Sequence, residues 1–568
     1  MSQNSQNVSP SGSSNPKLPY CYETIPQSGV SQFVGRDREL ESLHQMLQEN
    51  DQVAIAGITG IGKTEIAIQY AKANVNHYQG GICWLLARAD MGVQIVELVR
   101  SHFPHFTIPD NLTPTAQVTY CWQYWTSLLA SHDQESNQRV LVIIDHVTDY
   151  TQIQPYLPSS SRFKVLITTR LQLENPVQIL PLGVLTPPAA LELLASSIGT
   201  YRVKDTRGKP FGITSKQGKT KTSSAPNQEV QGGIAQQLCE LLGYLPLGVE
   251  LMGRYLEQER NLSLEKMRSR LQKQLLASQS LILHQDDSTR NLATQLGVAA
   301  VFELTWNRLN QEVQELGCLL SLFALAPIPW AQVESVYGQV YLPGALLGKL
   351  LDISQQDSEA EIENLIQSLL ENLEVARSQI EQWHLLQCTA EKTYQLHPLI
   401  WELLREKLHK LELSKNIKDA FCQVMVAVAK QIPDSSAQDL IEAAMPAIPH
   451  LIEATTTLQY CLSEEDLIEC YAGLGWFYQS QGFYDQAAPW REQELSLTQA
   501  HLGSDHPDVA SKLNNLAWIY YAQERYAEAE PLSVKALEIC EQHLGLDHPF
   551  TVATRKNVEA LYSTLQQS

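Results

Sequence analysis

Short apolar runs rich in β-branched residues alternate with amphipathic stretches over the first third of the chain. The runs cover residues 53–56, 82–86, 140–144 and 164–168. Continuous apolar strands that alternate with helical patterns are typical of a parallel sheet with helices on both faces. We therefore predict a doubly wound α/β domain, preceded by a short amphipathic helix at 38–48.

After residue 233 the apolar positions follow a helical period. Two helical stretches, 234–242 and 248–256, flank a Gly-Tyr-Leu-Pro-Leu break. A further helical block runs from 291 to about 408, and we predict additional helices at 417–429 and 437–455. The part of the chain that follows the sheet domain is thus expected to be all-α.

The C-terminal part contains an internal repeat with a period of 42 residues. Recurring pairs at that offset are Trp476 and Trp518, Tyr484 and Tyr526, Ala487 and Ala529, and Pro489 and Pro531. Small residues such as Gly475 and Ala517 predict two closely packed helices in each unit. The period resembles the longer form of the tetratricopeptide repeat, which stacks into an α-solenoid with a concave face suited to a protein or peptide.

A glycine-rich segment follows the first predicted strand directly. It consists of Gly57, Ile58, Thr59, Gly60, Ile61, Gly62, Lys63 and Thr64, and it fits the pattern G-x-x-x-x-G-K-[ST]. Backbone N–H groups of such a loop surround nucleotide phosphates, its lysine reaches the phosphate oxygens, and its hydroxyl takes one Mg²⁺ position. We therefore predict a site for a nucleoside di- or triphosphate. The alternative interpretation is a glycine-rich surface turn.

Two charged residues stand at the carboxyl ends of predicted strands. Asp145 ends the third apolar run, where a phosphate-loop NTPase places the carboxylate that holds Mg²⁺. Arg170 follows the fourth run and would point from the same sheet edge toward the phosphates, with a surface salt bridge as its alternative. We predict Asp145 and Arg170 as catalytic residues, and Thr64 and Asp145 as metal ligands. His146 stands where a hydrolysing enzyme usually has a second acid.

Composition restricts the partners and the compartment. The net charge of −21 disfavours nonspecific binding to nucleic acid or to an anionic membrane. Ten cysteines without a C-x-x-C pair indicate neither a zinc site nor a disulfide framework. Because no run is long enough to span a membrane and no signal-peptide pattern is present, a cytoplasmic location is expected. The basic segment 201–233 is predicted to be a disordered insertion, with a contact for an acidic partner as the alternative.

Six segments in a fixed order resemble the nucleotide motifs of the NB-ARC branch of the signal-transduction ATPases with numerous domains. The phosphate loop, the strand that ends in Asp145 and the segment that ends in Arg170 match three of them. The other three are Phe33-Val34-Gly35-Arg36, Leu245-Pro246-Leu247 and Gln395-Leu396-His397-Pro398. The C-terminal repeats resemble the tetratricopeptide sensors of bacterial members.

The resemblance implies ADP or ATP, with Mg²⁺, as the ligands. In the family's pattern, the backbone around Val34 borders the adenine, Pro246 packs on the base, and His397 contacts the β-phosphate of ADP in a closed state. A core histidine before a helix-starting proline is the alternative for His397. Because His146 departs from the family's pair of acids, at most slow ATP hydrolysis is expected. The predicted nucleotide-binding residues are Val34, Gly35, Arg36, Gly57, Thr59, Gly60, Ile61, Gly62, Lys63, Thr64, Pro246 and His397.

The predicted fold class is α/β plus all-α. A phosphate-loop domain with a parallel sheet is followed by a helical domain, a winged-helix domain and an α-solenoid of tetratricopeptide repeats. The predicted boundaries are a disordered tail at 1–30, the nucleotide-binding domain at 31–200, the insertion at 201–233, the helical domain at 234–290, the winged-helix domain at 291–410, a helical linker at 411–465 and the repeats at 466–568.

Three functions compete. In the favoured one, ADP holds a closed monomer, and a protein or peptide on the repeats promotes an open ATP state that forms homo-oligomers or recruits an effector in trans. The second is a repeat scaffold with a structural, non-hydrolysed nucleotide. The third is a winged-helix transcriptional regulator. It is disfavoured because 291–410 carries 7 lysine and arginine residues against 15 aspartate and glutamate residues, the wrong balance for DNA phosphates.

Overall fold

The structure, a computed structural model, confirms the predicted fold class: a parallel-sheet domain, helical domains with a small winged-helix sheet, and C-terminal helical repeats. The predicted basic insertion lies outside the described residues, except for residue 233. The described residues are 24–30, 32–103, 106–109, 112–132, 138–199, 233–282, 289–342, 356–432 and 438–566.

The first domain contains a five-stranded sheet in the order β2-β3-β4-β1-β5, with parallel neighbours throughout. The four predicted strands are confirmed. The fifth was not predicted because its four residues include only two of the apolar β-formers that mark a buried strand. The strands are β1 (Gln52–Ala56), β2 (Gly81–Leu86), β3 (Val140–Val147), β4 (Phe163–Thr169) and β5 (Gln178–Pro181).

Helices connect the first four strands, as the alternating pattern predicted, whereas β4 leads to β5 without a helix. Between β2 and β3 lie two helices; the second carries the fully buried Trp125, which packs edge-to-face against Phe163 of the sheet. The helices of this domain are α1 (Asp37–Glu49), α2 (Lys63–Ala73), α3 (Met91–His102), α4 (Pro114–His132), α5 (Tyr150–Ile153) and α6 (Pro187–Ile198).

The middle of the chain is helical and contains a small antiparallel sheet in the order β6-β8-β7. This sheet and the helices beside it form the winged-helix part. The elements are α7 (Ile234–Leu241), α8 (Pro246–Gln258), α9 (Leu264–Ile282), α10 (Thr289–Trp306), α11 (Gln311–Leu320), β6 (Ile328–Pro329), α12 (Trp330–Tyr341), α13 (Gln356–Gln382), β7 (Gln387–Ala390), β8 (Thr393–Gln395) and α14 (Pro398–Leu408).

The C-terminal part is a stack of helices. The single helix predicted at 437–455 is wrong, because the structure divides it at a 3-10 turn, Met445–Ala447, that contains Pro446. Proline has no N–H for the helical ladder, and its ring clashes with the preceding turn. The helices are α15 (Ser414–Gln431), α16 (Gln438–Ala444), α17 (Ile448–Thr457), α18 (Glu464–Ser480), α19 (Tyr484–Leu502), α20 (Pro507–Ala522), α21 (Tyr526–His543) and α22 (Pro549–Leu565).

Histidine caps explain part of the 42-residue repeat. Helices α20 and α22 both begin at a proline, and the preceding histidine accepts a hydrogen bond through Nδ1. His506 accepts from the backbone N–H of Asp508 at 3.2 Å, and His548 accepts from that of Phe550 at 3.2 Å. The side-chain nitrogen thus satisfies an N–H group that the first helical turn leaves unpaired.

The first repeat packs against the sheet domain. Phe483, in the turn between α18 and α19, is 0% exposed, and a Cβ on Gly92 of α3 would lie 2.6 Å from its ring. Beside it, the Gln486 side-chain amide donates to the hydroxyl of Tyr156 at 3.4 Å. The start of the solenoid therefore belongs to the same packed unit as the sheet domain. Across the described ranges, no helix combines the length and apolar character that a membrane span requires.

A buried ion pair lies within the first repeat. Arg491 is 1% exposed, and its Nη1 lies 2.7 Å from Oε2 of Glu494, which is 0% exposed. The other carboxylate oxygen of Glu494 lies 2.6 Å from Nζ of Lys512. The guanidinium covers the ring of Trp476 at 4.3 Å, and a Cβ on Gly475 would lie 2.6 Å from Arg491 Nε. Glycine at this position therefore makes room for the arginine.

Glu494→Gln should lower the midpoint of thermal unfolding of the full chain, measured by circular dichroism. The substitution leaves the buried Arg491 guanidinium without its carboxylate, and breaking a buried pair in this way costs about 3–5 kcal/mol. Glu528→Gln is the matched control, because it removes an exposed partner of Arg525. It should leave the midpoint unchanged. Equal midpoints for the two variants would contradict a stabilising role of the buried pair.

Candidate functional site

An irregularity in β3 brings Asp145 and His146 to the carboxyl edge of the sheet. The register of β3 on β4 shifts between Ile144 and Val147, and His146 has a φ of 63°. A non-glycine residue in the left-handed region stores local strain, which is typically found at functional sites. The bulge places both side chains in a cleft above the sheet edge.

The predicted phosphate loop connects β1 to α2 and lines the same cleft. Gly60 and Gly62 have φ values of 79° and 95°, which glycine adopts without strain, and the space beside Gly62 is open. Nζ of Lys63 donates to the carbonyls of Gly57 and Ile58 at 2.8 and 2.9 Å. The loop is therefore folded around its own lysine, and the N terminus of α2 faces an open space suited to an anion.

Thr64 and Asp145 form a hydroxyl–carboxylate pair in the cleft. Oγ1 of Thr64 donates to Oδ1 of Asp145 at 2.9 Å. The Thr168 hydroxyl also donates to Asp145 and itself accepts from the His146 N–H at 2.9 Å, so the carboxylate is firmly positioned. Within the described ranges, no group of three or more His, Cys, Asp or Glu side chains is placed to hold a metal ion. One carboxylate and one hydroxyl suit Mg²⁺ that shares its coordination sphere with phosphates and water.

Positively charged side chains are concentrated around this pair. Burial lowers the pKa of Lys63 to about 8; nearby Asp145 opposes the shift and Arg170 adds to it. Burial, together with Arg170, also lowers the pKa of Arg88, and burial lowers that of His146, whose Nε2 lies 3.5 Å from Asp145. Such a cluster, in a chain of net charge −21, is complementary to a polyphosphate.

The winged-helix part contributes a neutral histidine to the cleft. Helix α14 begins at Pro398, and Nδ1 of the preceding His397 accepts from the N–H of Leu399 at 3.2 Å. Burial, with the neighbouring His146 and Lys63, lowers the pKa of His397 to about 3. The imidazole is therefore neutral, and because Nδ1 accepts, its proton resides on Nε2. His397 can thus donate a hydrogen bond through Nε2 to an oxygen of a ligand in the cleft.

A small apolar slot adjoins the cleft. Arg36, 5% exposed, braces one wall: its Nη2 donates to the carbonyl of Gly183 at 2.7 Å, and its Nη1 donates to Glu39 at 2.8 Å. Gly35 lies against α6, where an added Cβ would come within 2.2 Å of the Ala189 Cβ. An apolar slot beside a phosphate cradle suits the flat faces of a nucleotide base. Its apolar lining comprises Val30, Phe33, Val34, Ile61, Ile66, Leu185, Leu193 and Pro246.

The structure brings most of the predicted site residues together, although their roles as ligands stay predictions. Gly57 and Gly35 line neither cavity; the first accepts from Lys63 and the second packs on α6. The predicted residues that line the cleft are Thr59, Gly60, Gly62, Lys63, Thr64, Asp145, Arg170, Pro246 and His397. Those that line the slot are Val34, Arg36, Ile61, Gly62 and Pro246.

Sequence reasoning missed several residues of the cleft. Arg88 follows the carboxyl end of β2, so the rule applied to Arg170 would have found it. The others are brought there by tertiary packing, and no local pattern marks them. The missed residues include Arg88, Thr168, His384, Gln387, Thr389 and Glu402.

The C-terminal repeats match a known family. The family model of the tetratricopeptide repeat matches residues 467–508 and 509–550. The 42-residue period and the nature of the repeat are thereby confirmed.

Two curated relatives carry the name Regulatory protein AfsR. The one from Streptomyces griseus is 28% identical over 159 residues, which cover 26% of this chain and 15% of the relative. The one from Streptomyces coelicolor is 24% identical over 366 residues, which cover 60% of this chain and 30% of the relative. The chain thus spans less than a third of the length of either relative.

One similar solved structure is a signal transduction ATPase with numerous domains that has a tetratricopeptide repeat sensor, from Pyrococcus horikoshii. It is 17% identical, with a TM-score of 0.40, and the match covers 96% of this chain and 76% of that one. Residues 467–550 are therefore tetratricopeptide repeats, as the match to the family model shows.

Proposed function

We propose that the chain is a nucleotide-gated signalling switch whose repeats sense a protein or peptide. The observation that carries the proposal is that three parts of the chain line one cleft: the phosphate loop, Pro246 at the start of α8, and His397 at the start of α14. A ligand that contacts all three stabilises the conformation in which they meet. The relatives named as regulatory proteins support a regulatory role.

The proposed ligand is ADP or ATP with Mg²⁺. The phosphates would lie against Lys63 and the N terminus of α2, the base in the apolar slot, and the metal at Thr64 and Asp145. Mg²⁺, when bound, neutralises phosphate charge. The cationic side chains around Asp145 and the apolar character of the slot support this orientation.

The closed conformation is held by contacts around the cleft. The N–H of Leu247, in the first turn of α8, donates to the carbonyl of Gly60 at 3.3 Å. His384 of the winged-helix part lies 3.4 Å from Glu250 of α8, and both side chains are buried. His397 adds a donor that a phosphate oxygen would accept. In our proposal, a bound diphosphate adds to these contacts and thereby stabilises the closed conformation.

Hydrolysis is proposed to be slow. A second carboxylate would polarise the attacking water, but the chain has His146 at that position. Burial lowers the pKa of this imidazole, so it is neutral. It does not supply the negative charge that a second carboxylate would provide. Slow turnover suits a switch because the bound nucleotide then defines a long-lived state.

The first repeat is proposed to transmit the signal through α3. Phe483 packs on Gly92 in the first turn of this helix. Asp90 caps the helix by accepting from the N–H of Val93 at 2.9 Å, and Arg88, two residues earlier, lines the nucleotide cleft. A ligand that moves the first repeat would therefore also move residues 88–92, which connect this repeat to the phosphate region of the cleft.

The test is to identify the nucleotide that co-purifies with the protein by mass and to measure particle mass with ADP and with ATP. Gly92→Val and Phe483→Ala should each loosen the docked repeat, from opposite sides of one contact. We expect bound ADP in the wild type, loss of binding in Lys63→Ala, and larger ATP-dependent particles in both loosened variants. Unchanged nucleotide affinity in Lys63→Ala, or identical particle mass with ADP and ATP in both loosened variants, would contradict the switch.

His397→Ala should release ADP about tenfold faster or more, because a hydrogen bond to a charged group contributes about 1.5–3 kcal/mol. A chase of fluorescent mant-ADP measures the rate. His506→Ala is the matched control, since it removes the same kind of helix cap far from the cleft. It should not change the rate. Release from His397→Ala at the wild-type rate would show that this histidine only caps its helix.

ADP binding should take up a proton above pH 8. The pKa of Lys63 is about 8 because the amine is buried, and bound phosphates would raise it toward its ordinary value. As pH rises from 8 to 10, the amine must be reprotonated on binding, so affinity falls by up to about tenfold per pH unit. Calorimetry in two buffers of different ionisation enthalpy measures the uptake. Lys63→Arg stays charged and should abolish it; equal uptake in both proteins would assign the proton to another group.

A further inference from the structure

We propose that residues 24–30, the strap, close the nucleotide cleft and control the rate of nucleotide exchange. The inference rests on the proposed function, because it assumes a nucleotide in the cleft. The sequence placed the strap in a disordered tail, upstream of every predicted nucleotide motif. In the structure, the strap is fixed at three separate places.

The first anchor is the edge of the sheet. Strand β2 lies at one edge of the sheet. The backbone N–H and C=O groups of every second residue therefore face no neighbouring strand. The Thr24 hydroxyl accepts from the N–H of Trp84 at 3.2 Å and donates to the carbonyl of Ile82 at 3.4 Å. Because Ile82 and Trp84 are two residues apart in β2, the carbonyl of Ile82 and the N–H of Trp84 point to the same side of the strand, away from β3. One threonine thus satisfies two polar groups of the exposed edge.

The second anchor is the helix that follows the phosphate loop. The Ser28 hydroxyl donates to Oε1 of Glu65 at 2.6 Å, and the same oxygen accepts from the Gln69 amide at 2.7 Å. Glu65 directly follows Thr64 in the first turn of α2. The strap is therefore tied to the helix that carries two of the predicted phosphate and metal ligands.

The third anchor is the winged-helix part. The N–H of Gln27 donates to the carbonyl of Thr389 on β7 at 3.3 Å. Close by, Gly29 lies against the side chain of Gln387 on β7, because an added Cβ would come within 2.8 Å of its terminal amide. Because the strap contacts both the sheet domain and the winged-helix part, these two parts cannot separate fully until it detaches from one of them.

The strap also forms a wall of the site. Pro26, Gln27, Gly29 and Val30 line the cleft, and Val30 lines the apolar slot as well. Val30 therefore lies where the phosphate and base regions meet. A nucleotide that extends from one region to the other passes beneath the strap. The strap would thus limit both entry and exit of the nucleotide, in addition to the latch at His397.

The experiment compares nucleotide kinetics in the full chain. Ser28→Ala removes the bond to Glu65, and Gln27→Pro removes the N–H that donates to Thr389 of β7. Each should raise the release rate of mant-ADP about tenfold, equivalent to about 1.4 kcal/mol, and raise its association rate as well. If both association and release become faster, the strap acts as a barrier to nucleotide exchange. Loss of a contact with the nucleotide would accelerate release alone. Ser335→Ala is the matched control, because its hydroxyl donates to Ala331 on the exposed surface of α12, and both rates should stay at wild-type values.

Two results would contradict the proposed role of the strap in nucleotide exchange. In the first, both variants bind and release mant-ADP at wild-type rates while Lys63→Ala still abolishes binding. In the second, release is faster but association is unchanged and the thermal midpoint falls, as expected if the strap merely stabilises the domain. If Lys63→Ala binds nucleotide like the wild type, the proposed function itself fails, so the two failures are distinguishable.

Discussion

The concentration of positive charge at the carboxyl edge of the sheet is the constraint on which the proposed nucleotide site depends. Lys63, Arg88 and Arg170 converge on this edge, and desolvation together with the nearby Arg170 lowers the pKa values of Lys63 and Arg88. Asp145 offsets only part of this positive charge. From the winged-helix part, the neutral His397 adds no positive charge to the cleft, and the Glu402 side chain opposes the lowering of the Arg88 pKa. A charged imidazole at His397 would add to the positive charge, whereas a polyanion would offset it.

The sequence predicted the parts of this arrangement whose chemistry is local. The phosphate loop is contiguous, and the alternating apolar runs specify a parallel sheet without knowledge of the rest. By contrast, His397 shares its local pattern, a histidine before a helix-starting proline, with His506 and His548, and all three accept the same backbone hydrogen bond. Only tertiary packing distinguishes the one that faces the cleft. The strap was missed for the same reason, because its anchors lie on distant parts of the chain.

Differences between the two repeats are as informative as their similarities. Phe483, which packs on α3, corresponds to Arg525 in the second repeat, and Gln486 corresponds to Glu528. The second pair forms an exposed ion pair, whereas the first packs against the sheet domain. When the two repeats are aligned at an offset of 42 residues, the turn of the first repeat is uncharged and contains an aromatic residue, whereas the same turn of the second is charged. This difference marks the turn that packs on α3.

The contact between Phe483 and Gly92 has a consequence for the ligand of the repeats. Coupling between two binding equilibria is reciprocal, so a ligand that changes nucleotide affinity has its own affinity changed by the same factor. If docking of the first repeat depends on the nucleotide, the sensor's threshold for its ligand is set by the cellular ratio of ATP to ADP. The chain would then respond to its ligand and to the energy state of the cell as a single combined input.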